Sequence, residues 1–358
     1  MKSRTKERVV VAMSGGVDSS IAALILVRKG YEVIGISMRL WSYGYDATHG
    51  CCTPQDLYDA QKVAEQLGIP HYVSDFEASF EEKVISNFVQ SYQKGETPNP
   101  CVRCNNDIKF SALLKRTLEL GADFLATGHY SRKTFDGNYF GLKRAADLRR
   151  DQSYFLFGLG QQELSRALFP LGELHKEEVR KMAKEANLII AAKPDSQEIC
   201  FVPEDYTTFV EQRLNPSQLL RGRILDEMDE ALGAHTGIHQ YTVGQRKGLG
   251  LRTLLPNYVL EVRSNGDVVV GPDQSLYKTK FEVREPRWIR SSPQAGENLL
   301  AQIRSRFSAS PARIEKMKEE KVQVSFIQPQ RAITPGQAAV FYRGDEVVGG
   351  GWIDRVVK

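Results

Sequence analysis

A glycine- and serine-rich loop between an apolar run and a helical run is the feature that most constrains the fold of this 358-residue chain. The apolar run spans residues 9–13, the loop is Ser-Gly-Gly-Val-Asp-Ser-Ser at 14–20, and the apolar helical run follows at 21–27. Glycines let backbone amides approach an anion closely, and the first turn of a helix offers N–H donors and a dipole that favours negative charge. The sequence therefore predicts a phosphate-binding pocket at the carboxyl end of a strand.

The residue pattern of the loop indicates which class of phosphate ligand it binds. The loop has neither the Gly-Lys-Ser/Thr ending of the Walker loop nor the spaced glycines of a dinucleotide fold. It resembles the pyrophosphate-binding loop of enzymes that split ATP into AMP and pyrophosphate in order to activate an oxygen atom. We therefore expect ATP binding, with Asp18 as a candidate ligand of Mg²⁺.

Strand-like and helical patterns alternate up to about residue 208. Four apolar runs have the length and composition of strands: 9–13, 31–38, 70–73 and 124–128. Helical patterns lie between them, at 57–67 and near 78–92. This alternation is typical of an α/β fold with a parallel sheet covered by helices, in which substrates bind at the carboxyl edge.

Short, glycine-punctuated β runs replace this pattern in the rest of the chain. The Asn265-Gly266 pair between two apolar runs predicts a hairpin. From residue 281 onward the apolar runs are spaced like the strands of a small barrel. The predicted domains are an ATP-pyrophosphatase-like α/β domain (1–208), a small central linking domain (209–280) and a C-terminal β-barrel (281–358).

Charge and cysteine content limit the functional classes. A net charge of +4 allows a nucleic-acid partner without requiring one. No apolar run reaches membrane-spanning length, and the first residues lack the apolar core of a signal peptide, so we expect a cytoplasmic protein without a membrane partner. Five cysteines in so long a chain are not a disulfide scaffold, and we expect buried thiols, metal ligands or catalytic groups.

A second candidate site is the run Thr97–Asn105, which contains Cys101 and Cys104. Its two prolines favour an extended loop, and we expect the following helix to begin near Asp107. Cys104 then lies close to a helix start with cationic neighbours, an environment that makes thiols nucleophilic. A further cysteine, Cys200, lies near the end of the first predicted domain.

Three interpretations of these cysteines remain open. They are buried thiols, or Cys104 and Cys200 exchange sulfur across a pocket, or Cys101, Cys104 and Cys200 hold an iron–sulfur cluster with one open iron. Cys51 and Cys52 are adjacent, which is poor chelate geometry, and we interpret them as structural or incidental thiols.

Six motifs spread over most of the chain resemble those of the tRNA-specific 2-thiouridylases, which replace the C2 oxygen of the wobble uridine by sulfur. The motifs are 12–20, 97–105, 126–130, 151–156, 195–201 and 239–249. The last motif is the most specific, and the order of the predicted domains also fits. The resemblance implies ATP and Mg²⁺ as cofactors, the anticodon stem-loop of tRNA as substrate, and a sulfur-relay protein or a cysteine desulfurase as sulfur donor.

The resemblance also implies roles for individual residues. The nucleotide would be bound by Ala12, Met13, Ser14, Gly15, Gly16, Val17, Asp18, Ser19, Met38 and Gly128. The target base would be approached by Asn99, Pro100 and Cys101, and the tRNA contacted by Arg150, Asp151, Gln152, Arg306 and Phe307. Cys104 corresponds to the catalytic nucleophile, and Cys200 to the cysteine that carries the persulfide.

The chain departs from the family pattern at Cys101, where well-known members have an aspartate. This change removes a carboxylate thought to assist at the base or the sulfur, and it supplies a third thiol, which favours the cluster interpretation. Under the sulfur-transfer interpretation, ATP adenylates the C2 oxygen and a persulfide on Cys200 delivers sulfur. Cys104 releases that sulfur, which leaves a Cys104–Cys200 disulfide for reduction.

Two other functions remain open. The first is another ligase of the ATP-pyrophosphatase type, such as a GMP synthetase or an argininosuccinate synthase. The chain has no glutaminase segment to supply ammonia, and such ligases have no use for Cys104 and Cys200. The second is an RNA-binding module whose ATP site is a relic, which the intact loop argues against. The sequence favours a tRNA-uridine 2-sulfurtransferase.

Overall fold

The computed structural model describes residues 6–41, 53–195, 199–202, 205–251 and 255–357. Cys51 and Cys52, and the middle of the 195–201 motif, lie outside these ranges. The chain divides into two compact units. The first unit comprises 1–84, 101–203 and 345–347, and the second comprises 85–100, 204–344 and 348–358.

The α-helices in the described ranges are short to medium in length. They are α1 (Val17–Arg28), α2 (Pro54–Leu67), α3 (Glu77–Phe80), α4 (Ser86–Gln93), α5 (Pro100–Arg103), α6 (Leu114–Glu119), α7 (Gln161–Arg166), α8 (Lys176–Glu185) and α9 (Tyr206–Glu211). Two π-helical stretches, Glu81–Ile85 and Cys104–Leu113, continue directly into α4 and α6.

The first unit is built on a five-stranded parallel sheet. Its strands, with a short hairpin, are β1 (Arg8–Ala12), β2 (Glu32–Arg39), β3 (His71–Asp75), β4 (Phe124–Ala126), β5 (Ser131–Phe135), β6 (Phe140–Arg144) and β7 (Ala167–Leu168). The sheet order is β3-β2-β1-β4-β7, and β5 pairs with β6. All four predicted strand runs are confirmed, whereas the hairpin and the two-residue β7 have no clear signal in the sequence.

The core of the first unit explains why these runs form this sheet. Val9 and Val11 of β1 are fully buried, as expected for a central parallel strand covered by helices on both faces. Ala22 and Ala23 of α1 are also fully buried in the same core cluster, and their small side chains let α1 lie close to the sheet. This packing fixes the start of α1 beyond the carboxyl end of β1.

The second unit contains only β-sheets and short helical segments in its described part. Its strands are β8 (Gly222–Leu225), β9 (Ala231–His235), β10 (Tyr258–Val262), β11 (Val268–Gly271), β12 (Tyr277–Trp288), β13 (Asn298–Gln302), β14 (Ser310–Met317), β15 (Lys321–Arg331), β16 (Ala338–Arg343) and β17 (Glu346–Val357). A four-stranded sheet has the order β10-β11-β8-β9. The six strands β12-β15-β14-β13-β16-β17 close into a barrel through the β12–β17 pairing.

The fold class is therefore confirmed: a parallel-sheet α/β domain, a small central sheet and a C-terminal β-barrel. The Asn265-Gly266 hairpin joins β10 to β11 as predicted. Residues 85–100 belong to the second unit, where Tyr92 stacks on Tyr206 with ring centroids 4.7 Å apart. In the parts of the chain described here, no helix combines the length and apolarity needed to cross a membrane.

Candidate nucleotide and thiol site

The glycine- and serine-rich loop closes on itself between β1 and α1. The Ser14 N–H donates to Ser19 Oγ over 3.1 Å, and the Ser20 hydroxyl donates to the Gly16 carbonyl over 2.8 Å. Gly16 is the residue before α1 and has extended backbone angles. These bonds leave a compact turn at the carboxyl edge of the sheet, where the helix dipole of α1 favours an anion.

Close backbone approaches explain two glycines of the predicted nucleotide site. Gly15 has a φ of +71°, and a Cβ there would lie 2.2 Å from the Asp56 carbonyl oxygen. A Cβ on Gly128 would lie 2.7 Å from the Ser19 nitrogen. The structure thus brings Gly128, which follows β4, against the start of α1.

Met13 and Met38 are both buried at the ends of neighbouring strands. The Met13 N–H donates to the Ile36 carbonyl of β2 over 2.8 Å, and the Ser37 hydroxyl donates to the Met13 carbonyl over 2.7 Å. These bonds tie the segment after β1 to β2, on which Met38 lies. Both methionines are therefore fixed by the sheet that presents the loop.

The arrangement around Asp18 does not fit the predicted magnesium site. The Lys176 ammonium donates to both carboxylate oxygens of Asp18, over 2.8 and 2.9 Å, and the Tyr130 hydroxyl donates to Oδ1 over 2.8 Å. Burial, and then the charge of Asp18, raise the pKa of Tyr130, so its phenol stays a donor. Among the residues whose placement is described, no three His, Cys, Asp or Glu side chains are grouped to hold a metal ion.

Lys176 connects the loop to a second carboxylate. This lysine is only 6% exposed, and its ammonium also contacts Asp195 Oδ1 over 2.8 Å. Arg150 and Arg180 pair with the same carboxylate over 3.0 and 2.9 Å. Burial opposes ionisation of Asp195, but the hydrogen bond from Lys176 and the charges of both arginines outweigh it and hold its pKa below the ordinary value.

The three consecutive residues expected to contact tRNA have different environments. The Arg150 side chain is 45% exposed and reaches Asp195. The Asp151 carboxylate accepts from the backbone N–H of Ala145 and from the Ser153 hydroxyl, over 3.0 and 2.8 Å. Gln152 Oε1 accepts from the Tyr130 N–H over 2.9 Å. Asp151 and Gln152 therefore shape this turn, and Arg150 is the most exposed of the three.

The expected helix start near Asp107, just after Cys104, is wrong. The helical backbone begins at Pro100 with α5, so Cys104 lies one turn inside and is the first residue of the π-helical stretch Cys104–Leu113. Proline is well accommodated in the first turn of a helix, where its missing N–H costs no bond. The argument from a helix N-terminus at Cys104 therefore weakens, although π-helical segments recur at functional sites.

Contacts around Cys104 join two of the sequence motifs. The Asn105 side chain, 2% exposed, donates to the Phe155 carbonyl over 3.2 Å. Asn106 packs against Gly158, where a Cβ would lie 2.5 Å from its Nδ2. The helical stretch that begins at Cys104 thus packs against the segment 155–158 within the first unit.

The three cysteines of these motifs differ in exposure. Cys101 is exposed, Cys104 is buried and Cys200 is half-buried. The ring of Phe201, next to Cys200, packs edge-on against Phe80 at 5.5 Å. No three metal-ligating side chains are grouped in the described ranges, so the structure gives no support for the cluster interpretation.

The remaining predicted contacts lie in the second unit. Asn99 and Pro100 are buried. The N–H of nearby Thr97 donates to the Pro335 carbonyl over 2.9 Å, and Gln337 Nε2 donates to the Thr97 carbonyl over 3.1 Å. Arg306 and Phe307 are exposed in the turn between β13 and β14. They are thus available to an external partner.

Four residues that organise the loop were missed from the sequence: Tyr130, Lys176, Lys193 and Asp195. Tyr130 and Asp195 are members of the quoted motifs, but nothing in their local pattern indicates an ionic role. An isolated lysine is usually a solvated surface residue, so Lys176 and Lys193 give no signal before the fold brings carboxylates to them.

Family models match nearly the whole chain. Residues 7–204 match the tRNA methyl transferase HUP domain, residues 207–272 the tRNA methyl transferase PRC-barrel domain, and residues 278–353 the aminomethyltransferase beta-barrel domain. The first match alone spans more than half of the chain and contains the loop, Cys104 and Cys200.

Full-length relatives carry one consistent name. The chain is 48% identical to the tRNA-specific 2-thiouridylase MnmA of Geotalea uraniireducens, over 100% of this chain and 98% of that protein. It is 47% identical to the protein of the same name from Magnetococcus marinus, over 97% and 99%. The solved structure of a 4-thiouridine synthetase–RNA complex with bound ATP matches at 14% identity over 58% of this chain and 50% of that chain. The TM-score of this match is 0.35.

Proposed function

The chain belongs to the tRNA-specific 2-thiouridylase family, and we propose that it uses ATP to replace the C2 oxygen of the wobble uridine of tRNA by sulfur. The proposed products are 2-thiouridine, AMP and pyrophosphate. We place the chemistry in the α/β domain (1–208), followed by the linking domain (209–280) and the barrel (281–358), in a cytoplasmic enzyme.

One observation carries this proposal. The self-closed loop at residues 14–20 lies at the carboxyl edge of the parallel sheet, in the same compact unit as Cys104 and Cys200. A phosphate-binding turn and two cysteines within one unit supply what an ATP-dependent sulfur transfer needs. A ligase without sulfur chemistry has no use for the cysteines, and an RNA-binding module needs neither feature.

The proposed first step is adenylation of the uridine. The C2 oxygen attacks the α-phosphorus of ATP, the bond to the β-phosphate breaks, and pyrophosphate leaves. Backbone N–H groups of the loop at 14–19 and the start of α1 would stabilise the charge on the departing pyrophosphate. Transfer of AMP turns a very poor leaving oxygen into a good one, which is the reason for spending ATP.

The proposed second step moves sulfur. A persulfide on Cys200 is attacked at its inner sulfur by the Cys104 thiolate, so that a Cys104–Cys200 disulfide forms and hydrosulfide is released. Hydrosulfide then adds to C2, and AMP leaves with the former carbonyl oxygen. The terminal sulfur is reduced as the two cysteines are oxidised, so an external thiol reductant must restore them before the next cycle.

The proposed route uses neither of the two metal sites considered from the sequence, which are a Mg²⁺ ligand at Asp18 and an iron–sulfur cluster on the cysteines. Asp18 is occupied by Lys176 and Tyr130, so we propose that any Mg²⁺ enters with the phosphates of ATP and is not held by Asp18. Among the residues that the structure describes, no three metal-ligating side chains are grouped, and we propose the persulfide route. A sulfur-relay protein or a cysteine desulfurase is the proposed source of the persulfide sulfur.

Thiolation of unmodified tRNA by the iron-stripped protein tests the proposed function. With ATP and a persulfide donor, thiolated tRNA is expected to appear as a retarded band on a mercury-containing gel. A parallel sample is loaded anaerobically with iron and sulfide. Activity confined to the loaded sample contradicts the persulfide route, and absence of thiolation in both samples contradicts the substrate assignment.

Arg150→Ala is expected to weaken tRNA binding and to lower the slope of log affinity against log salt by about one. The expectation follows from the partly exposed side chain of Arg150 and from the family correspondence. Arg180→Ala is the matched control because Arg180 pairs with the same carboxylate, Asp195, and has no expected tRNA contact. Filter binding over a salt series measures the tRNA affinity of both variants. An equal slope for Arg150→Ala and wild type would show that Arg150 does not contact tRNA.

A further inference from the structure

Lys193, which lies outside the 14–20 loop in the sequence, forms a hydrogen bond with the backbone of that loop. Its ammonium donates to the Gly15 carbonyl over 3.0 Å, to Asp56 Oδ1 over 2.7 Å and to Asp59 Oδ2. An ammonium has three donors, and each of them is matched here by one acceptor. All three donors of the Lys193 ammonium are therefore used by protein acceptors, and none is left to bind a phosphate group.

The two carboxylates that receive Lys193 are themselves fixed on α2. Asp56 Oδ2 accepts from the N–H and the hydroxyl of Thr53, over 3.0 and 2.7 Å, which caps the helix. Asp59 Oδ1 accepts from Gln55 Nε2 over 2.7 Å, and Asp59 is 8% exposed. Burial disfavours the charge of Lys193, but the hydrogen bonds to Asp56 and Asp59 outweigh it and raise the pKa of Lys193.

The bond to Gly15 determines the direction of the next amide. In a trans peptide the carbonyl and the N–H of one peptide unit point in opposite directions. Since the Gly15 carbonyl points at Lys193, the Gly16 N–H points away from the Lys193–Asp56–Asp59 cluster. The φ of +71° at Gly15 makes this orientation available to glycine at little cost.

We propose that Lys193 is a positioning residue of the phosphate loop, which orients the Gly15–Gly16 peptide so that the Gly16 N–H faces the phosphates of ATP. Lys193 does not itself contact the nucleotide, because two carboxylates and one carbonyl already take up its donors. This inference rests on the ATP site proposed above and adds to it a residue that lies outside the loop.

The test compares binding of two separate probes, pyrophosphate and adenosine, to the full-length protein by calorimetry. Lys193→Met is expected to weaken pyrophosphate binding about tenfold, the effect of one lost charge-assisted amide contact, and to leave adenosine binding unchanged. The salt dependence of pyrophosphate binding should also stay at the wild-type slope, because Lys193 forms no ion pair with the ligand. The matched control is Lys62→Met. Lys62 is a partly exposed lysine that pairs with Glu65 on α2, the helix that also carries Asp56 and Asp59.

Several results overturn the proposal. A reduced salt slope in Lys193→Met shows direct ion pairing with pyrophosphate, and equal loss of both probes with a lowered Tm shows a general structural role. Lys193→Arg keeps the positive charge but cannot make the same three hydrogen bonds, so it should also weaken pyrophosphate binding. Wild-type pyrophosphate affinity in that variant contradicts the positioning role. If the wild-type protein binds neither probe, the proposed ATP site fails instead, and the two failures are distinguishable.

Discussion

Serine in place of Cys104 or of Cys200 is expected to abolish tRNA thiolation, by at least about a thousandfold, because a hydroxyl can neither carry a persulfide nor attack one. ATP cleavage with tRNA present should persist in both variants, since adenylation precedes sulfur transfer in the proposed order. Thiolated tRNA on a mercury gel, AMP formation and tRNA affinity are the three measurements. Loss of tRNA binding in either variant would show that the substitution acts through folding, a real risk at buried Cys104.

Cys101→Asp is the control that separates the two sulfur mechanisms. Cys101 is the exposed member of the three thiols, and aspartate is the residue that the family resemblance leads us to expect at this position. Under the persulfide route this variant should retain thiolation, since Cys104 and Cys200 are intact. Under a cluster route it should be as inactive as Cys104→Ser, because one of three ligands is replaced. An inactive but folded Cys101→Asp protein would therefore overturn the persulfide route.

The sequence was most informative where a local pattern determines local structure. The apolar runs near 9–13 and 31–38 predicted β1 and β2 because central parallel strands are apolar on both faces. The glycine-serine loop predicted the turn into α1 because positive φ and close approach restrict the residue type. The hairpin at Asn265-Gly266 was predicted for the same reason.

The ionic environment of the loop was not predictable from the sequence. Asp18 has the residue type and place of a magnesium ligand, yet its partner Lys176 is 158 positions away in the chain. Lys193 reaches Asp56 over 137 positions. Such pairs depend on how α2 and α8 pack around the sheet, and no pattern in a single sequence encodes that. The start of the helix at Pro100 was missed for a different reason: proline was interpreted as part of an extended loop, whereas it suits the first helical turn equally well.

Alanine at Gly15 is expected to abolish ATP cleavage, whereas alanine at Gly30 is expected to leave it intact. Both glycines have positive φ, +71° and +86°, so both substitutions carry a similar backbone strain of roughly 1–2 kcal/mol. They differ in surroundings: a Cβ at Gly15 would lie 2.2 Å from the Asp56 carbonyl oxygen, and a Cβ at Gly30 would meet nothing within 4 Å. The comparison therefore separates crowding from strain.

Crowding at Gly15 cannot be relieved by a side-chain rotation, because the atoms it meets are backbone atoms of Asp56 at the start of α2. Either the loop or α2 must move, and each movement breaks the bond from Lys193 to the Gly15 carbonyl. Pyrophosphate release with tRNA present should fall at least about a hundredfold in Gly15→Ala, since several loop donors are displaced together. Thermal unfolding should show a larger loss of Tm in Gly15→Ala than in Gly30→Ala, because only Gly15→Ala adds crowding to the backbone strain. Wild-type pyrophosphate release in Gly15→Ala would mean that the loop does not bind the phosphates of ATP in the geometry described here.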